Sequence, residues 1–128
     1  ELIKNSEEIF KKLKLPYRVI SIASGALNAT AAKKYDLEVW MPAQNTYREL
    51  VSCSNCLDYQ SRKLGIRFKD GNETIHPHLL NATAVATPRI LVAILENCQQ
   101  KDGSIKIPSV LHRYLDFKKI SPKKVSKK

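Results

Sequence analysis

With 128 residues, 43% of them hydrophobic, the chain is one domain long and able to build a core. Its net charge of +10 is weighted towards Lys118, Lys119, Lys123, Lys124, Lys127 and Lys128, and a basic tail on a mildly basic body does not by itself make a nucleic-acid-binding protein. No apolar run is long enough to cross a membrane, nothing at the start reads as a signal peptide, and three cysteines fit a reducing compartment better than a disulfide framework.

Residues 2–14 carry Ile9, Phe10 and Leu13 at helical spacing among lysines and glutamates, with Ser6 and Glu8 offering a cap. Lys14-Leu15-Pro16 ends this helix, because a residue before proline is pushed out of helical geometry. Tyr17 to Ile22 is β-branched and aromatic and predicts a strand. Ser24 to Lys34 is small and polar and reads as a loop or a short helix. Tyr35 to Met41 alternates polar with apolar residues, which predicts a strand closed by Pro42 with Asp36 and Glu38 on its solvent face. Ala43-Gln44-Asn45 is a turn, Tyr47 to Ser54 a third strand and Gly65 to Lys69 a fourth. Asp70-Gly71-Asn72 turns a hairpin into a fifth strand, Thr74 to Leu80.

Thr87-Pro88 then reads as a helix start, with Thr as cap and Pro giving up an N–H that had no partner. Ile90, Leu91, Ile94, Leu95 and Cys98 form one apolar stripe behind it. Ile105 to Leu115 closes the fold as a short segment and a final helical turn. Short turns between neighbouring strands imply antiparallel pairing, so the fold class is α+β: an antiparallel sheet flanked by helices. The domain runs over 1–116, followed by a basic, disordered tail over 117–128. The chain starts at Glu1 and its only methionine is Met41, so it reads as part of a longer gene product.

Several residue sets carry chemistry. Arg89 in the first helical turn is unusual, since a helix N-terminus already favours anions. It makes sense against a bound phosphate, or paired with a carboxylate such as Glu96. Glu49 lies in a stretch dense in hydrogen-bonding groups and calls for a ligand amine, a cation, or a base such as Arg48. Cys53-Ser-Asn-Cys56, with Cys98, His76, His78 and His112, has the residue types of a zinc site. It lacks a second close cysteine pair, so buried thiols are the better reading. Three Asn-x-Thr triplets, at Asn28, Asn72 and Asn81, read as chance matches. Four glycines exclude a phosphate-cradling glycine loop, and no Ser/His/Asp or Cys/His set assembles.

Two segments together resemble the seryl-tRNA synthetase family of class II. They are Tyr-Arg-Glu-Leu-Val-Ser-Cys-Ser-Asn-Cys-Leu-Asp-Tyr-Gln-Ser-Arg over 47–62, and Leu-Asn-Ala-Thr-Ala-Val-Ala-Thr-Pro-Arg leading to Ile-Leu-Glu-Asn over 80–97. The second resembles motif 3 of the class; Leu15-Pro-Tyr17, Ser24-Gly25 and Asp36-Leu-Glu38 add to the likeness, which spans Leu2 to Leu115. The Cys-x-x-Cys segment is most similar to the eukaryotic cytosolic branch, which has no zinc there.

The resemblance implies the C-terminal part of a catalytic domain that forms seryl-adenylate from L-serine and ATP and transfers serine to tRNA(Ser). Arg89 would then be the motif 3 arginine at the γ-phosphate and the catalytic residue. Glu49, Leu50, Val51 and Ser52 would line the ATP site, with Glu49 contributing to Mg²⁺ bound through ATP. Asn81 and Thr83 would hold the serine substrate. A cytoplasmic homodimer with no membrane association is implied. The family's tRNA arm, motif 1 and motif 2 should precede Glu1, and Lys63 stands where relatives often carry a second arginine. Glu49 and Ser52 are three apart, so both serve one site only if the strand bulges or ends between them. The alternatives are a non-catalytic synthetase-like binding module and, further off, a basic nucleic-acid-binding domain using the lysine tail.

Overall fold

A computed structural model describes residues 1–123 of the chain. Helix α1 (Leu2–Leu13) leads into β1 (Tyr17–Ser21), β2 (Lys33–Met41) and β3 (Thr46–Asn55). Then come α2 (Tyr59–Leu64), the hairpin β4 (Phe68–Asp70) and β5 (Glu73–Ile75), β6 (Leu80–Ala82), α3 (Thr87–Asn97), and the pair β7 (Ile105–Lys106) and β8 (Lys119–Ile120). The main sheet has four strands in the order β1-β2-β3-β6, every neighbouring pair antiparallel. The expected α+β antiparallel sheet with flanking helices is present.

Alternation along β2 and β3 gives the sheet two unlike faces. Leu37, Val39, Met41 and Val51 point to one side, where Phe10 and Leu13 of α1 and Ala93 of α3 complete the core. α1 ends at Lys14, whose backbone is left-handed (φ 57°): the Lys14 N–H donates to the Lys11 carbonyl and the Leu15 N–H to the Phe10 carbonyl, before Pro16. Glu1, not Ser6, occupies the position before α1; Ser6 is buried inside the helix and donates to the Leu2 carbonyl. Likewise Thr87 is the first residue of α3 rather than its cap, and Ala86 precedes it without a side-chain bond.

The apolar stripe of α3 lies differently from the expected one. Ala93 is fully buried, Ile90 and Ile94 pack beside it, and Leu91 is 56% exposed. The small Ala93 lets the helix lie close to the sheet, and Asn97 Nδ2 fixes it by donating to the Trp40 carbonyl at 2.9 Å. The expected fifth strand divides in two. β5 pairs only with β4 across the Gly71 turn (φ +60°), and β6 leaves that hairpin to join β3.

Part of the expected tail is structured. Lys119 and Ile120 pair with Lys106 and Ile105, and Lys119 Nζ holds Asp102 at 3.0 Å. Residues 124–128 of that tail lie outside the described residues. Among the described residues no helix is long and apolar enough to cross a membrane.

A candidate nucleotide site at a strand bulge

The polar face of the sheet carries Asp36 and Glu38 from β2, Glu49 and Ser52 from β3, and Asn81 and Thr83 from β6 and its continuation. How Glu49 and Ser52 come to share it is visible in the register. Asp36 pairs with Ser52 and Leu37 with Val51, but Glu38 pairs with Glu49, so Leu50 has no partner on β2. This is a β-bulge: two residues of one strand oppose one of the other, and the side chains beyond it change face. Leu50 and Val51 are accordingly both buried although adjacent, at 1% and 0% exposure. Glu49 and Ser52, three apart in sequence, land on one side.

The bulge also anchors the start of α3. The Leu50 carbonyl accepts the Ala86 N–H at 3.1 Å, and the Ser52 carbonyl accepts the Thr83 N–H at 3.0 Å. Arg89, one turn further, reaches back so that Nη1 donates to the Glu49 carbonyl at 2.8 Å and lies 3.8 Å from Glu49 Oε1. Its carboxylate neighbour is therefore Glu49, across the cleft, and not Glu96, which accepts the Ala43 N–H. Arg48 is engaged with Gln44 Oε1 at 2.6 Å rather than with Glu49.

Two cavities meet at the Glu49–Arg89 contact. One, of about 340 Å³, is lined by Glu49, Leu50, Ser52, Thr83 and Arg89 together with the residues that start α3. The other, of about 440 Å³, is shared by Glu49, Leu50 and Arg89 with Gln44, Arg48 and Val92. Both the Arg89 and Glu49 side chains are half exposed, which leaves the guanidinium able to exchange Glu49 for an anionic ligand. Of the residues singled out in the sequence, Glu49, Leu50, Ser52, Thr83 and Arg89 meet here. Val51 does not: its side chain is in the core on the opposite face. Asn81 pairs with Ser54, one step along the sheet, and lies outside both cavities.

One member of this face was misjudged from the alternation. Asp36 does share a side with Glu38, but it is buried at 5% exposure, with Lys34 Nζ 3.2 Å from Oδ2 and no partner for Oδ1 among the described residues. Alternation gives the side of a strand, not what lies over it. Glu38 is held by Arg18 at 2.7 Å, and that guanidinium stacks on the Tyr47 ring. The cysteines do not converge. Burial first, then the Asp36 charge, pushes the Cys53 thiol up, and burial alone raises Cys98. His76 and His112 each lie against a backbone carbonyl, of Ile66 and Ile107. Among the described residues no three His, Cys, Asp or Glu side chains are grouped to hold a metal ion.

Comparison with known proteins places this geometry in a family. Residues 1–98 match the tRNA synthetase class II core domain (G, H, P, S and T). A serine–tRNA ligase of Pyrococcus abyssi is 54% identical over 123 residues, covering 94% of this chain and 27% of that protein. The crystal structure of seryl-tRNA synthetase from Pyrococcus horikoshii complexed with ATP superposes with a TM-score of 0.93 at 52% identity, over 96% of this chain and 28% of that one. That of the cytoplasmic serine–tRNA ligase from Naegleria fowleri in complex with AMP gives 0.86 at 49% identity, over 94% and 28%. The chain thus spans about a quarter of the length of these relatives. It belongs to the class II tRNA synthetase core family.

Proposed function

We propose that this member of the class II core family is the C-terminal part of the catalytic domain of a serine–tRNA ligase, with residues 80–97 as its motif 3. The observation that carries the reading is the single cavity wall shared by Glu49, Ser52, Thr83 and Arg89, assembled by the bulge at Leu50. Identities near 50% to serine–tRNA ligases and seryl-tRNA synthetases support it, and the archaeal and Naegleria relatives support an enzyme of the archaeal and eukaryotic cytosolic kind. On this reading the protein works in the cytoplasm as a homodimer, its partners are ATP, L-serine and tRNA(Ser), and the domain expected to end near 116 extends at least to β8.

The chemistry is attack of the serine carboxylate on the α-phosphate of ATP, releasing pyrophosphate, then transfer of the seryl group to the tRNA 3′ end. Such a reaction asks the protein for positioning and charge stabilisation rather than for a nucleophile. Arg89 leaves Glu49 for the γ-phosphate end of ATP and holds it as pyrophosphate develops. Thr83 and Asn81 present hydroxyl and amide groups to the serine; Asn81, outside the cavities, takes part from the neighbouring row. Leu50 forms an apolar wall, and Val51 contributes only by fixing the strand behind it. The donor set fits Mg²⁺: a carboxylate and a hydroxyl oxygen, from Glu49 and Ser52, stand on one wall, and hard cations take oxygen ligands shared with phosphates. Bound with ATP, that ion would neutralise phosphate charge.

Arg89→Ala in the protein at its native length tests the reading. Serine-dependent ATP–pyrophosphate exchange should fall by roughly two to three orders of magnitude, the scale of losing one transition-state charge contact. An unchanged rate would remove Arg89 from the site.

A further inference from the structure

Asp36 is the one buried carboxylate on the polar face, and the chemistry proposed above gives it no task. Its residue exposure is 5%, and its Oδ1 is shielded from solvent without a hydrogen-bond partner among the described residues. Lys34 reaches only the other oxygen, at 3.2 Å. A buried ion pair that leaves an acceptor unsatisfied costs stability relative to an apolar pair of the same size, so stability alone is a poor reason for it. The register supplies another. Asp36 lies directly opposite Ser52, and Ser52 is at the wall of the cavity. Cross-strand partners bring their Cβ atoms to roughly 5 Å, within reach of a hydrogen bond once a serine hydroxyl turns about χ1.

We propose that Asp36 is a positioning residue that orients the Ser52 hydroxyl. An ionised carboxylate accepts only, so the bond has one polarity: Ser52 donates its proton to Asp36 Oδ1. The lone pairs of the Ser52 oxygen are then turned towards the cavity, on the wall that already holds the Glu49 carboxylate. Two oxygen electron-pair donors on one wall suit a divalent cation, and the negative Asp36 behind the serine makes its oxygen the better ligand. Lys34 pairs with Oδ2 and leaves Oδ1 without a partner among the described residues. The inference rests on the nucleotide reading of this cavity.

A double-mutant cycle in the native-length protein tests it. Binding of a non-hydrolysable ATP analogue is measured by calorimetry with Mg²⁺ and again with EDTA, for Asp36→Asn, Ser52→Ala and the double variant. Asp36→Asn and Ser52→Ala should each weaken Mg²⁺-dependent binding by about tenfold, the scale for groups that orient a metal ligand. Neither should matter in EDTA, and the double variant should be no worse than either single one. Lys34→Met, which leaves the Asp36–Ser52 bond intact, should retain most of the metal effect. Additive losses, an equal loss in EDTA, or a loss in Lys34→Met as large as in Asp36→Asn would overturn the proposal. If Asp36→Asn does not fold, Asp36→Glu replaces it, with the same metal-selective loss expected and unaltered binding overturning it. A native protein that fails to bind the analogue removes the nucleotide reading and this inference together; one that binds but shows additive losses removes the inference alone.

Discussion

The two faces of the β2–β3 ribbon are made by the same residues in alternation, yet they are built to opposite ends. On one side Leu37, Val39, Met41 and Val51 are nearly or completely excluded from solvent and pack on α1 and α3. On the other, Lys34, Asp36, Glu38, Glu49 and Ser52 place paired charges and a hydroxyl beside a cavity. Strand alternation lets one hydrogen-bonded ladder serve both ends, with each residue contributing to only one. Leu50 and Met41 are the exceptions: both belong to the core cluster, yet Leu50, the extra residue of the bulge, also lines both cavities, and Met41 lines the larger of the two.

The sharpest way to break this contrast is to put one charge on each face at neighbouring positions. Val51→Asp buries an unpaired carboxylate where exposure is 0%, and transfer of such a group into an apolar site costs several kcal/mol or more. Expression as folded protein should be lost. Ser52→Asp, one residue on, sits at a half-buried position facing Asp36 and Glu49, so like-charge repulsion should lower the thermal midpoint without abolishing folding and should weaken binding of the ATP analogue. Equal damage to folding at both positions would mean that the faces are not separate.

A milder version compares neighbours on β2. Leu37 is completely buried, so Leu37→Ala should cost about 2–5 kcal/mol in chemical unfolding. Glu38 pairs with an Arg18 that is half exposed, and Glu38→Gln should cost at most about 1 kcal/mol, because solvent screens such pairs. If Glu38→Gln rivals Leu37→Ala, the Arg18–Glu38–Tyr47 assembly is a structural pillar and not a solvated rim.

These faces were legible in the sequence to different depths. The apolar side of β2, the helix over 2–14 and the Asp70-Gly71-Asn72 turn follow from periodicity and turn chemistry, which are local. On α3, Ile90 and Ile94 face the core as expected, but the most buried residue is Ala93, whose small size allows close approach, while Leu91 is left outside. Helix α2 went unread because Tyr59–Leu64 spans under two turns and its one buried residue is Ser61. The site residues were named by resemblance, but the bulge that unites Glu49 with Ser52 is a property of two strands at once. No pattern in either strand marks where their register slips. The burial of Asp36 escaped for a related reason: alternation along β2 assigns the side chain to a face, while what covers that face is decided by the folded molecule.

The smallest effect comes from setting two lysine–carboxylate pairs side by side. Lys34–Asp36 is almost closed to solvent; Lys119–Asp102, at 3.0 Å between β8 and the turn before β7, is more than half exposed. The Ser104 hydroxyl and backbone N–H, and then Lys119, hold the Asp102 carboxyl well below its ordinary value of 3.8. A folded-state pKa below the unfolded one means that the unfolded chain binds more protons in between, so stability rises with pH there. Asp102 therefore stabilises fully above about pH 4 and loses that contribution as pH falls through its folded value. The parent should exceed Asp102→Asn slightly in unfolding midpoint at pH 7, and the gap should narrow steadily as pH falls below about 4. Salt at 1 M should narrow the pH 7 gap, because an exposed pair is screened over a few ångströms at that ionic strength. A gap that persists unchanged at pH 2 would mean that Asp102 acts by neutral hydrogen bonding to Ser104, and that charge plays no part in holding β7 and β8 together.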